Sequence, residues 1–182
     1  NIKNKNKNKN KNKNKNTIGI AVNSLDSYSD LEGVLLLLIK NNFSIVVRTH
    51  PSQPVTFINS LVSFVSKNKA VAWSNSMRHD LIDFFNSVNC VVAGNTSIHL
   101  EAGLANLATM YYEFGESSAY DYYGYIKSGV SFELNRQNLI QSISDGVNYC
   151  LQAKRKHALK KYSETYNSKW MHMEGELSAL VI

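Results

Sequence analysis

The chain has 182 residues, with 20 lysines and arginines against 14 acidic residues and a formal net charge of +6, a length that suits one domain. Its first sixteen residues, an Asn-Lys alternation, hold seven of the lysines and no acidic residue, so residues 17–182 carry thirteen basic against fourteen acidic groups, a net charge of −1. The basic isoelectric point therefore belongs to the tail, and the body lacks the basic footprint of a specific nucleic-acid interface.

Two units follow: a low-complexity tail, 1–16, and a body, 17–182. With Ile2 as its one apolar residue, the tail cannot bury enough surface to offset its ordering entropy, and it is expected to be disordered. No apolar signal-peptide core stands at the N-terminus. The longest apolar run, Val34 to Ile39, is too short to span a bilayer. The two cysteines, Cys90 and Cys150, have no metal-ligand spacing and read as buried thiols in a reducing compartment. A cytoplasmic protein is expected, with peripheral association at the inner face of a membrane as an option.

In chain order, Thr17 to Val22 reads as an apolar strand and Asp30 to Asn41 as a helix with early acidic residues. Phe43 to Arg48 is a second strand, ending in Thr49-His50-Pro51. Val55 to Lys67 is helical, with Phe57, Leu61, Val62 and Phe64 as its apolar set. Ala70 to Trp73 is the third strand, and Met77 to Ser87 a helix with Leu81, Ile82, Phe84 and Phe85 mostly inward. Cys90 to Ala93 is the fourth strand and Thr96 to Asn106 its helix. Ala108 to Tyr112 is the fifth, Val130 to Leu134 the sixth. Leu139, Ile140, Ile143, Val147 and Leu151 recur at helical spacing, with a helical extension from about residue 152. Strands without alternation, separated by helices, predict an α/β fold: a Rossmann-like parallel sheet of about six strands with helices on both faces.

In such a sheet ligands sit at the carboxyl ends of the strands. Those ends are polar and small here: Asn23-Ser24, Thr49 to Pro51, Ser74 to Ser76, Gly94 to Ser97 and Glu113 to Ser117. Pro51 holds His50 extended, where its imidazole can meet a phosphate; Arg48 shares its strand face. Ser74 belongs to the same edge. Asn95, Thr96 and Ser97 open a helix whose free N–H groups favour anions. Ser97 and Glu101, at i and i+4, project from one face, suiting a phosphate and a sugar diol. The plainer readings are a solvated His-Pro turn and a helix cap at Asn95 or Thr96. His99, rotated away from Ser97, reads as structural or partly exposed. Most of the tyrosines 111, 112, 120, 122, 123 and 125 serve to pack a loop on the sheet. No P-loop, GxGxxG, GxSxG or metal spacing is present; no metal and no cofactor is expected.

Arg48-Thr49-His50-Pro51, then Gly94 to Ala102, then Tyr111-Tyr112 with Asp121-Tyr122-Tyr123-Gly124, resemble the C-terminal half of bacterial GT-B glycosyltransferases that carry a His-Pro motif. That group includes sialyltransferases, polysialyltransferases and capsule or lipopolysaccharide transferases. The resemblance spans about Thr17 to Val147. It implies a nucleotide-sugar donor, commonly CMP-linked, whose phosphate is held by His50 with Thr96 and Ser97, and a ribose contact from Glu101. It also implies a partner, because a complete GT-B enzyme has two Rossmann-like domains and this chain has length for one: an N-terminal half or another subunit. For the general base, Asp26 is the only early candidate. Two alternatives stand beside the glycosyltransferase: a UDP-sugar 2-epimerase-like enzyme, and a non-catalytic nucleotide-binding or assembly module.

Overall fold

The computed structural model describes residues 16–115 and 120–163; the Asn-Lys repeat before Asn16 and the segment Trp170 to Ile182 lie outside the described residues. Six strands form one sheet: β1 (Thr17–Ala21), β2 (Ser44–Thr49), β3 (Val71–Asn75), β4 (Cys90–Ala93), β5 (Ala108–Tyr111) and β6 (Phe132–Glu133). They lie in the order β3-β2-β1-β4-β5-β6, and every pairing is parallel. This is the α/β, Rossmann-like half-domain that the sequence predicts, with its order reversing between β1 and β4. β1 and β4 are buried along their whole length, which is why neither alternates.

One face of the sheet is covered by α1 (Tyr28–Lys40), α2 (Val55–Lys67) and α5 (Leu139–Leu151). Leu31, Leu35, Leu61 and Ile143 pack there against Ile20, Val47 and Val92. Each such fully buried aliphatic side chain contributes about 1.5–3 kcal/mol. The other face is covered by α3 (Leu81–Ser87) and α4 (Ile98–Leu104): Phe84, Ile98 and Ala102 meet Ala21, Val91 and Ala93.

The predicted boundaries shift at identifiable places. β3 runs on to Asn75, so Ser74 is a strand residue. Helix α3 starts at Leu81 rather than Met77 because Asn75 winds the chain into a turn first. Its carbonyl accepts from Arg78 and His79 N–H at 3.0 and 2.8 Å, and its side chain accepts from Met77 N–H at 2.9 Å, the local bonding that asparagine offers in turns. Ile82 is consequently exposed rather than inward. Helix α4 stops at Leu104, with Asn106 at φ 62° turning the chain, and Ala105 is exposed. The charged C-terminal stretch is not a simple continuation of α5: Gln152 is extended (ψ 147°), and the chain restarts as α6 (Ala153–Tyr162).

Candidate functional site

Strand order reverses between β1 and β4, the place where α/β sheets open a crevice for ligands; the carboxyl ends of β1, β2, β4 and β5 flank it. Register fixes how its parts stand. Ala21 of β1 pairs with Arg48 of β2 on one side and Ala93 of β4 on the other. His50 and Asn95, each two residues further on, therefore leave the sheet at the same level. They are two strand spacings apart, about 10 Å, with the end of β1 between them.

His50 heads a turn through Pro51: its carbonyl accepts from Gln53 N–H at 3.1 Å. Its exposed ring accepts at Nδ1 from Ser52 N–H at 3.1 Å. A neutral imidazole that accepts at Nδ1 carries its proton on Nε2. The turn thus sets the tautomer and makes Nε2 a donor. Arg48 lies beside it on the α3–α4 face. Its Nη1 donates to Ser74 Oγ and to the His79 carbonyl, both at 3.0 Å, and its guanidinium lies 5.8 Å from the Phe84 ring centroid. Burial pulls the Arg48 pKa down, while the charges of Asp80 and Glu101 pull it back up. Ser74 is buried beneath Arg48; its hydroxyl anchors the guanidinium.

In the β4–α4 loop, Asn95 is not a cap. Its Nδ2 donates to Glu113 Oε1 at 2.8 Å and its Oδ1 accepts from Tyr122 N–H at 2.9 Å. Asn95 thus ties the tyrosine loop to the sheet edge. Thr96 is partly buried, and the N-cap position falls on Ser97, which makes no side-chain capping bond. Ser97 Oγ instead donates to Glu101 Oε1 at 3.0 Å. The i, i+4 geometry holds, with the two groups bonded to each other. Glu101 is exposed, and its charge reaches Arg48 across the face.

His99 is wholly buried and structural. Its Nε2 donates to the Gly94 carbonyl at 2.9 Å, so Nδ1 must accept, here from Ser131 Oγ at 3.0 Å. Ser131 in turn pairs with Thr109 Oγ1 at 3.0 Å, and Thr109 accepts from Arg155 Nη2 at 3.3 Å. A buried polar chain thus runs from α6 to the backbone of the β4 loop. Burial pushes the His99 pKa down to about 4, and the ring packs on Tyr111 and Tyr125 with centroids 5.8 and 5.3 Å away. Tyr111 and Tyr125 are buried; Tyr120, Tyr122 and Tyr123 are exposed.

Asp26 and Glu113 follow the carboxyl ends of β1 and β5, close enough for their charges to interact. Burial pushes the Asp26 carboxyl up to about 7, opposed by the Asn23 N–H and assisted by the Glu113 charge. The Asn23 N–H donates to Asp26 Oδ2 at 2.7 Å. Glu113 Oε1 also accepts from the Tyr111 hydroxyl. The sequence places Glu113 on the carboxyl edge, just after the fifth strand, but attaches no motif or role to it. Gln53 is 5 % exposed, yet neither of its amide atoms has a hydrogen-bond partner among the described residues, and the same holds for Ser76 Oγ. Both sit on loops at this edge. Buried polar groups without partners are rare, and ordered water or a ligand usually completes them. Among the described residues no group of His, Cys, Asp and Glu could hold a metal ion, and no helix is long and apolar enough to cross a membrane.

No family model matches the chain, and no curated protein matches it. Among solved structures it is similar to the catalytic domain of starch synthase IV from Arabidopsis thaliana, bound to ADP and acarbose. The identity is 6 % and the TM-score 0.50, over 91 % of this chain and 37 % of that one. It is also similar to the wall teichoic acid polymerase TagF. A form soaked with CDPG matches at 13 % identity and TM-score 0.43, over 86 % and 37 % of the two chains. A second TagF structure matches at 15 % and 0.42, over 91 % and 41 %. The chain spans about two fifths of the length of these proteins. At such identities the likeness concerns fold: the sheet is that of a GT-B half-domain.

Proposed function

We propose that this chain is the nucleotide-sugar-binding domain of a glycosyltransferase, using a CMP-linked donor in bacterial surface-polysaccharide synthesis. The observation that carries the reading is the register that brings His50 and the Gly94–Ser97 loop level on either side of β1, at the switch point where α/β sheets take ligands. A neighbour in fold supports the ligand class: the starch synthase structure holds ADP.

In this reading His50 Nε2–H and the hydroxyls of Thr96 and Ser97 hold the donor phosphate. Glu101 accepts from the ribose hydroxyls. The Ser97–Glu101 bond is the one a donor replaces, since a phosphate accepts from the hydroxyl and a diol donates to the carboxylate, leaving neither group unpaired. When the sugar leaves, charge grows on the phosphate, and a fixed imidazole donor stabilises it in place. Arg48, held through Nη1 by Ser74 Oγ and the His79 carbonyl, adds positive potential at the site.

A second domain or subunit supplies the acceptor. Leu25, Val55, Met77, Ile82 and Tyr122 are each at least 71 % exposed, and all five lie on the loops and helix starts of the carboxyl edge. Apolar side chains gathered around a polar crevice suit a surface that another domain covers. Calorimetric titration with CMP, CDP and UDP compounds tests the reading. Binding by one of them, weakened tenfold or more by His50→Ala with the fold intact, is the expected result. A folded protein that binds none of them refutes it.

A further inference from the structure

Helix α6 carries Lys154, Arg155, Lys156, His157, Lys160 and Lys161 within ten residues and no acidic residue. Its positions 155, 156, 159 and 160 share one side and, with Ser163 just past its end, form the wall of a cavity of about 570 Å³ at the amino edge of the sheet. The opposite walls are the C-terminal turns of α4 and α5, with Leu107 and Ala108 at the start of β5. The volume falls in the range of small-molecule sites. The lining includes three cationic side chains, Arg155, Lys156 and Lys160, and no aspartate or glutamate.

Arg155 is 4 % exposed. Its Nε donates to the Val130 carbonyl at 3.1 Å; its Nη2 donates to the Leu107 carbonyl and to Thr109 Oγ1, both at 3.3 Å. These bonds staple α6 to β5. Gly103 leaves the space, since a Cβ there would stand 2.8 Å from Nη2. Stapling accounts for two of the three guanidinium nitrogens. Nη1 makes no hydrogen bond to the described residues, and no carboxylate among them pairs with the group. The carbonyl ends of α4 and α5 offset part of the charge. Stapling also leaves unexplained why Lys156 and Lys160, a like-charge i, i+4 pair that disfavours its own helix, line the same cavity.

We infer that this cavity is a second ligand site, separate from the carboxyl-edge crevice, and that it binds a small oxyanion through Arg155, Lys156 and Lys160. Phosphate and carboxylate share the chemistry that Arg155 would recognise. The apolar lining from Leu104, Val147, Leu151 and Leu159 suits an organic body attached to it.

The full-length chain is titrated by calorimetry with inorganic phosphate, pyrophosphate and acetate. The titration is made on the His50→Ala protein, which removes the carboxyl-edge imidazole; the expected result is saturable binding of at least one, weakened about tenfold or more when the double reversal Lys156→Glu/Lys160→Glu is added. Lys156 and Lys160 are exposed, so that variant keeps the staple and is checked for folding by circular dichroism. Absence of saturable binding at millimolar anion overturns the inference. Equal affinity with the reversal added overturns it too. The nucleotide titration is a separate measurement, so either site can fail while the other stands.

Discussion

Replacing His99 by glutamine removes one titrating ring from the core, and the structure sets both the sign and the size of the effect. The imidazole is wholly buried and its native pKa lies near 4, against 6.5 for the free ring. Below pH 6.5 the unfolded chain takes up a proton that the native protein refuses until about pH 4. The wild type therefore loses stability as the pH falls through that window. Linkage puts the loss between pH 7 and pH 5 at about 2 kcal/mol. At pH 7 the variant is weaker by about 1–3 kcal/mol, the cost of leaving buried partners such as Ser131 and the Gly94 carbonyl imperfectly bonded. Urea unfolding of both proteins at pH 7, 6 and 5 measures the gap, and taking the difference cancels the titration of Asp26. The gap should narrow by about 2 kcal/mol on acidification. A gap that stays constant, or an imidazole NMR midpoint above pH 6, refutes the buried neutral histidine.

Asp26→Asn keeps an acceptor for the Asn23 N–H and removes a carboxyl whose native pKa is raised to about 7. A raised carboxyl pKa destabilises the native state progressively as pH climbs from about 4 to 7. The variant should therefore gain on the wild type in urea midpoint at pH 8 and not at pH 4. Gly146→Ala would place a Cβ 2.7 Å from Met110 Sδ and 3.0 Å from the Phe132 ring; overpacking of this kind costs about 1–3 kcal/mol, read as a lower thermal midpoint. Both cysteines are buried and burial raises both pKa values, Cys90 to about 12. A thiol reagent should label them only as fast as the native protein opens; rapid labelling at pH 8 contradicts the burial.

The strands were legible because a parallel sheet covered on both faces demands unbroken apolar runs, and TIGIA and CVVA supply them. Position on the carboxyl edge followed from the strand-helix alternation alone, which is why His50, Ser74 and the Gly94–Ser97 loop were found together. Partnerships were not legible. Nothing in the local pattern shows that Asn95 bonds Glu113 and the Tyr122 backbone, because those groups are 18 and 27 residues away. The same distance in sequence hid the Arg48–Ser74 pair and the path from Arg155 to His99. The late start of α3 depends on the Asn75 side chain beating the helix for nearby N–H groups, a competition that apolar periodicity does not register. The break at Gln152 interrupts a stretch of good helix formers, where tertiary docking of Arg155 outweighs propensity.

The central claim is that His50 and the β4 loop grip one anionic group from opposite sides of β1. Amide and imidazole chemical-shift mapping during a titration with CMP, CDP or UDP tests it most directly. The account predicts saturating shifts at His50 and at Gly94 to Ser97 with one common midpoint, and none of comparable size at the amino edge. Shifts confined to one of the two loops, or two unrelated midpoints, would contradict it.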